Sequence, residues 1–167
     1  MRRVIGFGIA LCLLALIAAF SADTTAAAGP SNTCTAGLTI YTTSTGTVTQ
    51  AGQVTIYQGS GVGGGYTSGF LSGYTLSGAQ DILMNNVTHK SYLKGSFVAT
   101  GPGGTLNVSY VGQADLRTGA ATGFFIVTGG TGEFANFHWS GNIMAQLTSL
   151  APPTFVATDS GMCHPAP

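Results

Sequence analysis

The chain has 167 residues, 26 of them glycine, and only 6% are charged, five Lys+Arg against five Asp+Glu. A soluble domain ordinarily carries about 25% charged residues. A nucleic-acid binder needs a basic footprint to release counterions from phosphate, so nucleic-acid recognition is excluded, and 44% hydrophobic content with nine Phe and six Tyr excludes intrinsic disorder.

At the N-terminus, Arg2 and Arg3 precede an uncharged apolar run over residues 4–20 that gives way to Ser, Ala and Thr. These are the basic, apolar and small-residue regions of a secretory signal. Cleavage fits after Ser21 or after Ala28, which assigns residues 1–28 to a signal peptide with a short exit segment and residues 29–167 to one domain. A membrane anchor is the rival reading, because the run lies at the lower edge of a spanning length. Cys12 follows Ile9-Ala10-Leu11 and so lacks the small residue expected before a lipidated cysteine. After cleavage at Ser21, Lys90, Lys94 and Arg117 face Asp23, Asp81, Asp115, Glu133 and Asp159, a net charge of −2. No second long apolar segment follows. The expected product is secreted or periplasmic/extracellular, with no membrane segment once the signal is gone.

Removing Cys12 leaves Cys34 and Cys163. In an oxidising compartment an even pair predicts a disulfide, with two free thiols as the alternative. A bridge would hold both ends of the domain together.

From residue 38 onward two-residue alternation recurs and no long helical periodicity does. Strands are predicted over residues 38–43, 53–59, 66–76, 82–88, 92–100, 105–117, 122–128, 137–148 and 154–158. The glycine-rich stretch 59–78 reads as a hairpin whose glycines let a strand bend. It is not a phosphate loop, since neither a lysine in the right spacing nor a helix follows.

From Asp81 through Leu83, Asn85, Val87, His89, Ser91, Leu93 and Phe97 the residues share one parity. Asp81 and His89 would then face the same side as Leu93 and Phe97, a candidate acid/base pair if dry. A turn at Asn85-Asn86 would reset the register and remove the pairing. Lys90 and Lys94 share the opposite, exposed parity.

Over residues 105–117, Leu106, Val108, Tyr110, Gly112, Ala114 and Leu116 form one face, and only Val111 breaks the alternation. Over residues 137–148, Phe137, Trp139, Gly141, Ile143, Ala145 and Leu147 do the same. The only ionisable group on these two apolar faces is the Tyr110 phenol; Asp115, Arg117 and His138 take the wet faces. Strands this long suit the tilted staves of a closed barrel. The predicted fold is all-β, an eight-stranded antiparallel β-barrel, with a sandwich as the alternative.

Between the last two long strands the chain reads Ile126-Val127-Thr128-Gly129-Gly130-Thr131-Gly132-Glu133-Phe134 and continues to Phe137-His138-Trp139-Ser140-Gly141. The glycines permit a tight reversal, Thr131 can bond the backbone, and Phe134 can plug the turn against the barrel. This hairpin resembles the signature hairpin of the allene oxide cyclase-like and dirigent-like barrels, a calycin-like architecture with uncharacterised secreted members. The resemblance extends over residues 92–148. It implies an eight-stranded barrel with an apolar lumen, often a homotrimer through the outer wall. It further implies either cyclisation of a fatty-acid epoxide or steering of phenoxy-radical coupling, activities that need ionisable lumen residues.

The leading expectation is binding of a small apolar molecule without catalysis, in a lumen lined by Leu93, Phe97, Leu106, Val108, Tyr110, Phe137, Trp139 and Ile143. An isomerase or cyclase using Asp81, His89 or Tyr110 is the alternative, and a structural or assembly module the third. No cofactor is expected. No metal is expected either, since His89, His138 and His164 are scattered and no acidic loop has calcium-ligand spacing.

Overall fold

The structure, a computed structural model, describes residues 32–164. The signal segment over residues 1–28 therefore lies outside the described residues. Nine antiparallel strands follow in chain order: β1 Asn32–Ser44, β2 Thr47–Ala51, β3 Val54–Tyr66, β4 Thr75–Asn85, β5 Lys90–Gly101, β6 Gly104–Asp115, β7 Ala120–Gly130, β8 His138–Leu150 and β9 Pro153–His164. A single 3-10 turn, Gly132–Phe134, joins β7 to β8. Each strand from β3 to β9 pairs with its sequence neighbour, β9 pairs with β1, and β1 pairs with β3. That last pairing closes an eight-stranded barrel. It removes the exposed edges that an open sheet of these eight strands would present to other chains, leaving β2, paired with β3 alone, as the one free edge among the described strands.

The ninth strand, β2, was not predicted. It continues the line of β1 beyond Thr45-Gly46, and both strands pair with β3 in nearly unbroken register, Ser44 opposite Gly61 and Thr47 opposite Gln58. β2 and the first half of β3 thus form a hairpin extending one end of the barrel. Every β2 residue is exposed, so no apolar alternation was there to signal it.

The glycine-rich stretch divides in three, its last residues, 75–78, opening β4. Residues 59–66 continue β3, and residues 67–74 form the loop to β4 in place of the strand expected over 66–76. Gly59 (φ 65°) sits where the β3–β4 register shifts, between Tyr57 and Ser60. A left-handed residue there costs little only for glycine, which is how this strand bends. In the 67–74 loop Leu71 is fully buried and Phe70 stacks on Phe137 and Trp139 at centroid distances of 5.6 and 5.2 Å. Burial of Leu71, and stacking of the partly exposed Phe70 ring on the barrel end, override strand propensity.

The loop closes one end of the barrel. Tyr74, Phe134, Phe137, Trp139 and Phe125 continue the aromatic plug through edge contacts of 4.5 to 5.8 Å. Such pairs add about 0.5–1.5 kcal/mol each beyond the area they bury. At the same end a Cys34–Cys163 disulfide, with Cα atoms 5.8 Å apart, ties β1 to β9. Both ends of the described chain meet there. The opposite end, carrying the β2–β3 hairpin and the turns at 86–89, 116–119 and 151–152, stays open.

Candidate functional site

Between plug and mouth the barrel encloses a cavity of about 470 Å³. That volume is in the range of small-molecule sites, which are concave and mostly apolar. Inward alternation builds its wall from one set of positions per strand: Leu38 and Ile40 on β1, Ile82 and Met84 on β4, Leu93 and Phe97 on β5, Phe125 on β7, Ile143 and Leu147 on β8, Phe155 and Ala157 on β9. Among the described residues no Lys, Arg or His lines it.

Two polar arrangements interrupt this wall. Gln80, Gly95 and Tyr110 lie opposite one another on β4, β5 and β6. Because Gly95 lacks a Cβ, the Tyr110 ring crosses it and donates its hydroxyl hydrogen bond to Gln80 Oε1 at 2.9 Å. Burial holds the Tyr110 phenol well above its usual pKa, so it acts as a neutral donor.

The second arrangement is Asp159. Its side chain is 2% exposed, lines the cavity, and accepts a hydrogen bond from the Tyr66 hydroxyl on Oδ2 at 3.1 Å. Desolvation pushes its pKa up to about 7 despite the opposing effect of the Tyr66 bond. Burial and the facing carboxyl keep Tyr66 protonated. Oδ1 has no hydrogen-bond partner. With Trp139 Nε1 it is one of two such buried side-chain atoms among the described residues. An inward carboxyl near neutrality with a free oxygen can accept a ligand's hydrogen bond or exchange a proton.

Of the residues expected in the lumen, Leu93, Phe97, Tyr110 and Ile143 line the cavity. Leu106, Val108 and Trp139 point inward but are packed in the core, and Phe137 belongs to the plug. Aromatic stacking fills that half of the barrel, so these four do not form cavity wall.

The structure does not bring Asp81 and His89 together. Asp81 lies opposite Lys94 on the outward face and accepts the Gly59 backbone N–H at 2.9 Å, satisfying the donor freed where β3 bends. His89 stands exposed in the 86–89 turn with φ 56°. Val87 N and Thr88 N both donate to Asn85 Oδ1, and this turn resets the parity so that Ser91, Leu93 and Phe97 face inward while Asp81 and Leu83 face out. Lys90 sits at the mouth in an ion pair with Asp115 at 2.6 Å.

The 129–134 turn has the local design its residues suggest. Thr131 N donates to Thr105 O at 2.9 Å and Thr131 Oγ1 accepts from Thr105 N at 3.1 Å, docking this turn on the β5–β6 turn. Gly132 (φ 64°) approaches Gly103 so closely that a Cβ would lie 2.3 Å from its carbonyl oxygen. Phe134 is buried against Tyr74 and Phe137.

Asp159 is the residue that sequence reasoning missed. The predicted last strand stopped at 158, yet Phe155, Ala157, Asp159, Gly161 and Cys163 continue one inward parity through β9. A carboxylate in phase with a disulfide cysteine and a Phe was the available signal. Among the described residues no cluster of three His, Cys, Asp or Glu could hold a metal ion, and no helix is long and apolar enough to cross a membrane.

No family model matches the chain, and no curated protein matches it significantly.

Proposed function

We propose that this protein is an exported carrier or sensor that holds one small, largely apolar molecule in the barrel lumen. The observation that carries the reading is the 470 Å³ apolar cavity, plugged at one end and open at the other. The Cys34–Cys163 bridge supports an oxidising compartment and hence export. Likeness to allene oxide cyclase-like and dirigent-like barrels is supported by the closed eight-stranded fold and the docked 129–134 turn. The isomerase reading keeps Tyr110 in the lumen but loses Asp81 and His89, two of its three candidate groups.

The test is titration with diphenylhexatriene, an uncharged fluorophore that emits once out of water. Saturable emission at one equivalent is expected, abolished by Leu93→Trp, which fills the cavity. No saturable emission from the wild-type chain would remove the reading.

A second reading, assembly through the outer wall, has its own observation. Val111 and Phe124 lie directly opposite on β6 and β7, with Ile126 and Met144 nearby on the outward face, and all four are about half exposed or more. The wall expected to be wet carries an apolar patch there, as protein-binding surfaces do. A homotrimer in light scattering, dissociated by Phe124→Lys with Ile126→Lys, supports this reading; a monomer at high concentration overturns it.

A further inference from the structure

Among the described residues Asp159 is the one carboxylate that lines the lumen, and nothing on the wall they form answers its charge. Tyr66 satisfies Oδ2, while Oδ1 is buried without a partner. In register beside Asp159 stand Ala36 on β1 and Ile143 on β8, neither of which titrates. Tyr66 on β3 is the titratable side chain bonded to it, and the other ionisable groups on the cavity wall are the phenols of Tyr41, Tyr57 and Tyr110.

An unpaired buried carboxylate costs several kcal/mol, and that cost is relieved by a proton or by a cation held in direct hydrogen-bond contact. A ligand carboxylate entering this lumen would meet like charge and no Lys, Arg or His. A ligand hydroxyl could donate to Oδ1, but a charge-assisted bond is about twice as strong as a neutral one.

We propose that the lumen selects a lipophilic amine, its ammonium group docked on Asp159 Oδ1 and its hydrocarbon body laid toward the mouth against Leu38, Leu93, Phe97, Phe125 and Ile143. This rests on the lumen-binding reading and adds the ligand's head group to it. The direction of entry follows from topology. β9 begins at Pro153 by the mouth and reaches Asp159 six residues deeper, about 20 Å along a strand. The ammonium therefore enters first and the tail trails behind.

The competition between proton and ammonium for one carboxylate gives the inference its signature. With the carboxyl titrating near neutrality, amine binding strengthens as pH rises from 5.5 to 8, whereas alcohol binding changes little.

The test is calorimetric titration of the full chain with decylamine, decanol and decanoate at pH 8 and pH 5.5, on the wild type and on Asp159→Asn. Decylamine is expected to bind about tenfold or more tighter than decanol at pH 8, a 1.36 kcal/mol advantage per factor of ten. That preference should vanish in Asp159→Asn and shrink at pH 5.5, with decanoate the weakest of the three. Equal affinities for decylamine and decanol, or decanoate binding as well as the amine, would overturn the inference while leaving lumen binding intact. Failure of all three to bind would overturn lumen binding as well. Should Asp159→Asn not fold, the wild-type pH series decides alone, and pH-independent decylamine affinity overturns the proposal.

Discussion

The Tyr66 hydroxyl on β3 reaches past β1 and donates to Asp159 Oδ2 on β9 at 3.1 Å. The strand between them presents Ala36, small and buried, at the position opposite Asp159, and this leaves the path clear. The pair therefore bonds staves on either side of β1 near the place where the barrel closes. Tyr66→Phe removes the only donor to the carboxyl among the described residues and leaves both oxygens unsatisfied, a cost of about 1–3 kcal/mol. It also raises the Asp159 pKa further, because the Tyr66 bond is the influence that lowers it. Urea unfolding gives the first quantity and carboxyl-carbon NMR titration the second. A Phe variant with the wild-type carboxyl pKa would show that the bond does not form.

Stability should depend on pH through the same carboxyl. Its pKa is 3.8 when solvated and about 7 when folded, raised by desolvation. Below about pH 4 both states hold the proton. Between about 4 and 7 the folded state keeps a proton that the unfolded chain has lost, so stability falls as pH rises through that window and levels off above it. The loss is at most about 4 kcal/mol, from 1.36 kcal/mol per pKa unit. Asp115 acts in the opposite sense at lower pH: its bonds to Lys90 and Arg117 lower its pKa, so its contribution is lost only in stronger acid. Urea midpoints at pH 4.5, 6 and 8 should decline in the wild type and stay level in Asp159→Asn. A rise from 4.5 to 8 would contradict the assignment.

The barrel was legible in the sequence because β6 and β8 alternate along nearly their whole length, Val111 being the break in β6, as half-buried staves do. What could not be read was register between staves. Asp81 and Leu93 share a parity in the chain, yet the 86–89 turn puts them on opposite faces; Asn85-Asn86 marked a turn able to reset the register, but not how many residues it holds. The aromatic plug was hidden for a related reason. Phe70 and Leu71 sit in a glycine- and serine-rich loop with strand-like spacing, and only the closed barrel end gives Leu71 a place to be buried and Phe70 rings to stack on. Trp139 and Leu106 read correctly as inward but not as filler, because alternation gives a side chain's direction and not its depth along the barrel.

Gly95 is expected to tolerate no side chain. A Cβ there would stand 2.7 Å from the Tyr110 hydroxyl, 2.8 Å from Ala79 O and 2.8 Å from the Gln80 Cβ. Gly95→Ala should destabilise by about 1–3 kcal/mol, as overpacking generally does. Pairing it with Tyr110→Phe, which deletes the nearest of those atoms, should recover part of the loss but not all, since the Ala79 carbonyl remains. Complete additivity in the double-mutant cycle would show that Tyr110 does not lie over Gly95.

Reduction of Cys34–Cys163 separates the stability of the barrel from the integrity of its cavity. The bridge closes a span of 129 residues, so in the chain-entropy model it disfavours the unfolded state by about 5 kcal/mol, an upper figure. In the folded protein it joins strands already paired over ten registered positions, from Asn32 opposite Cys163 to Tyr41 opposite Thr154. It also sits at the plugged end, away from the mouth. Reduction should therefore lower the urea midpoint sharply while diphenylhexatriene binding in the absence of urea keeps its stoichiometry and affinity. Loss of binding without a change in midpoint would reverse the argument, placing the bridge in control of the cavity and not of the unfolded chain.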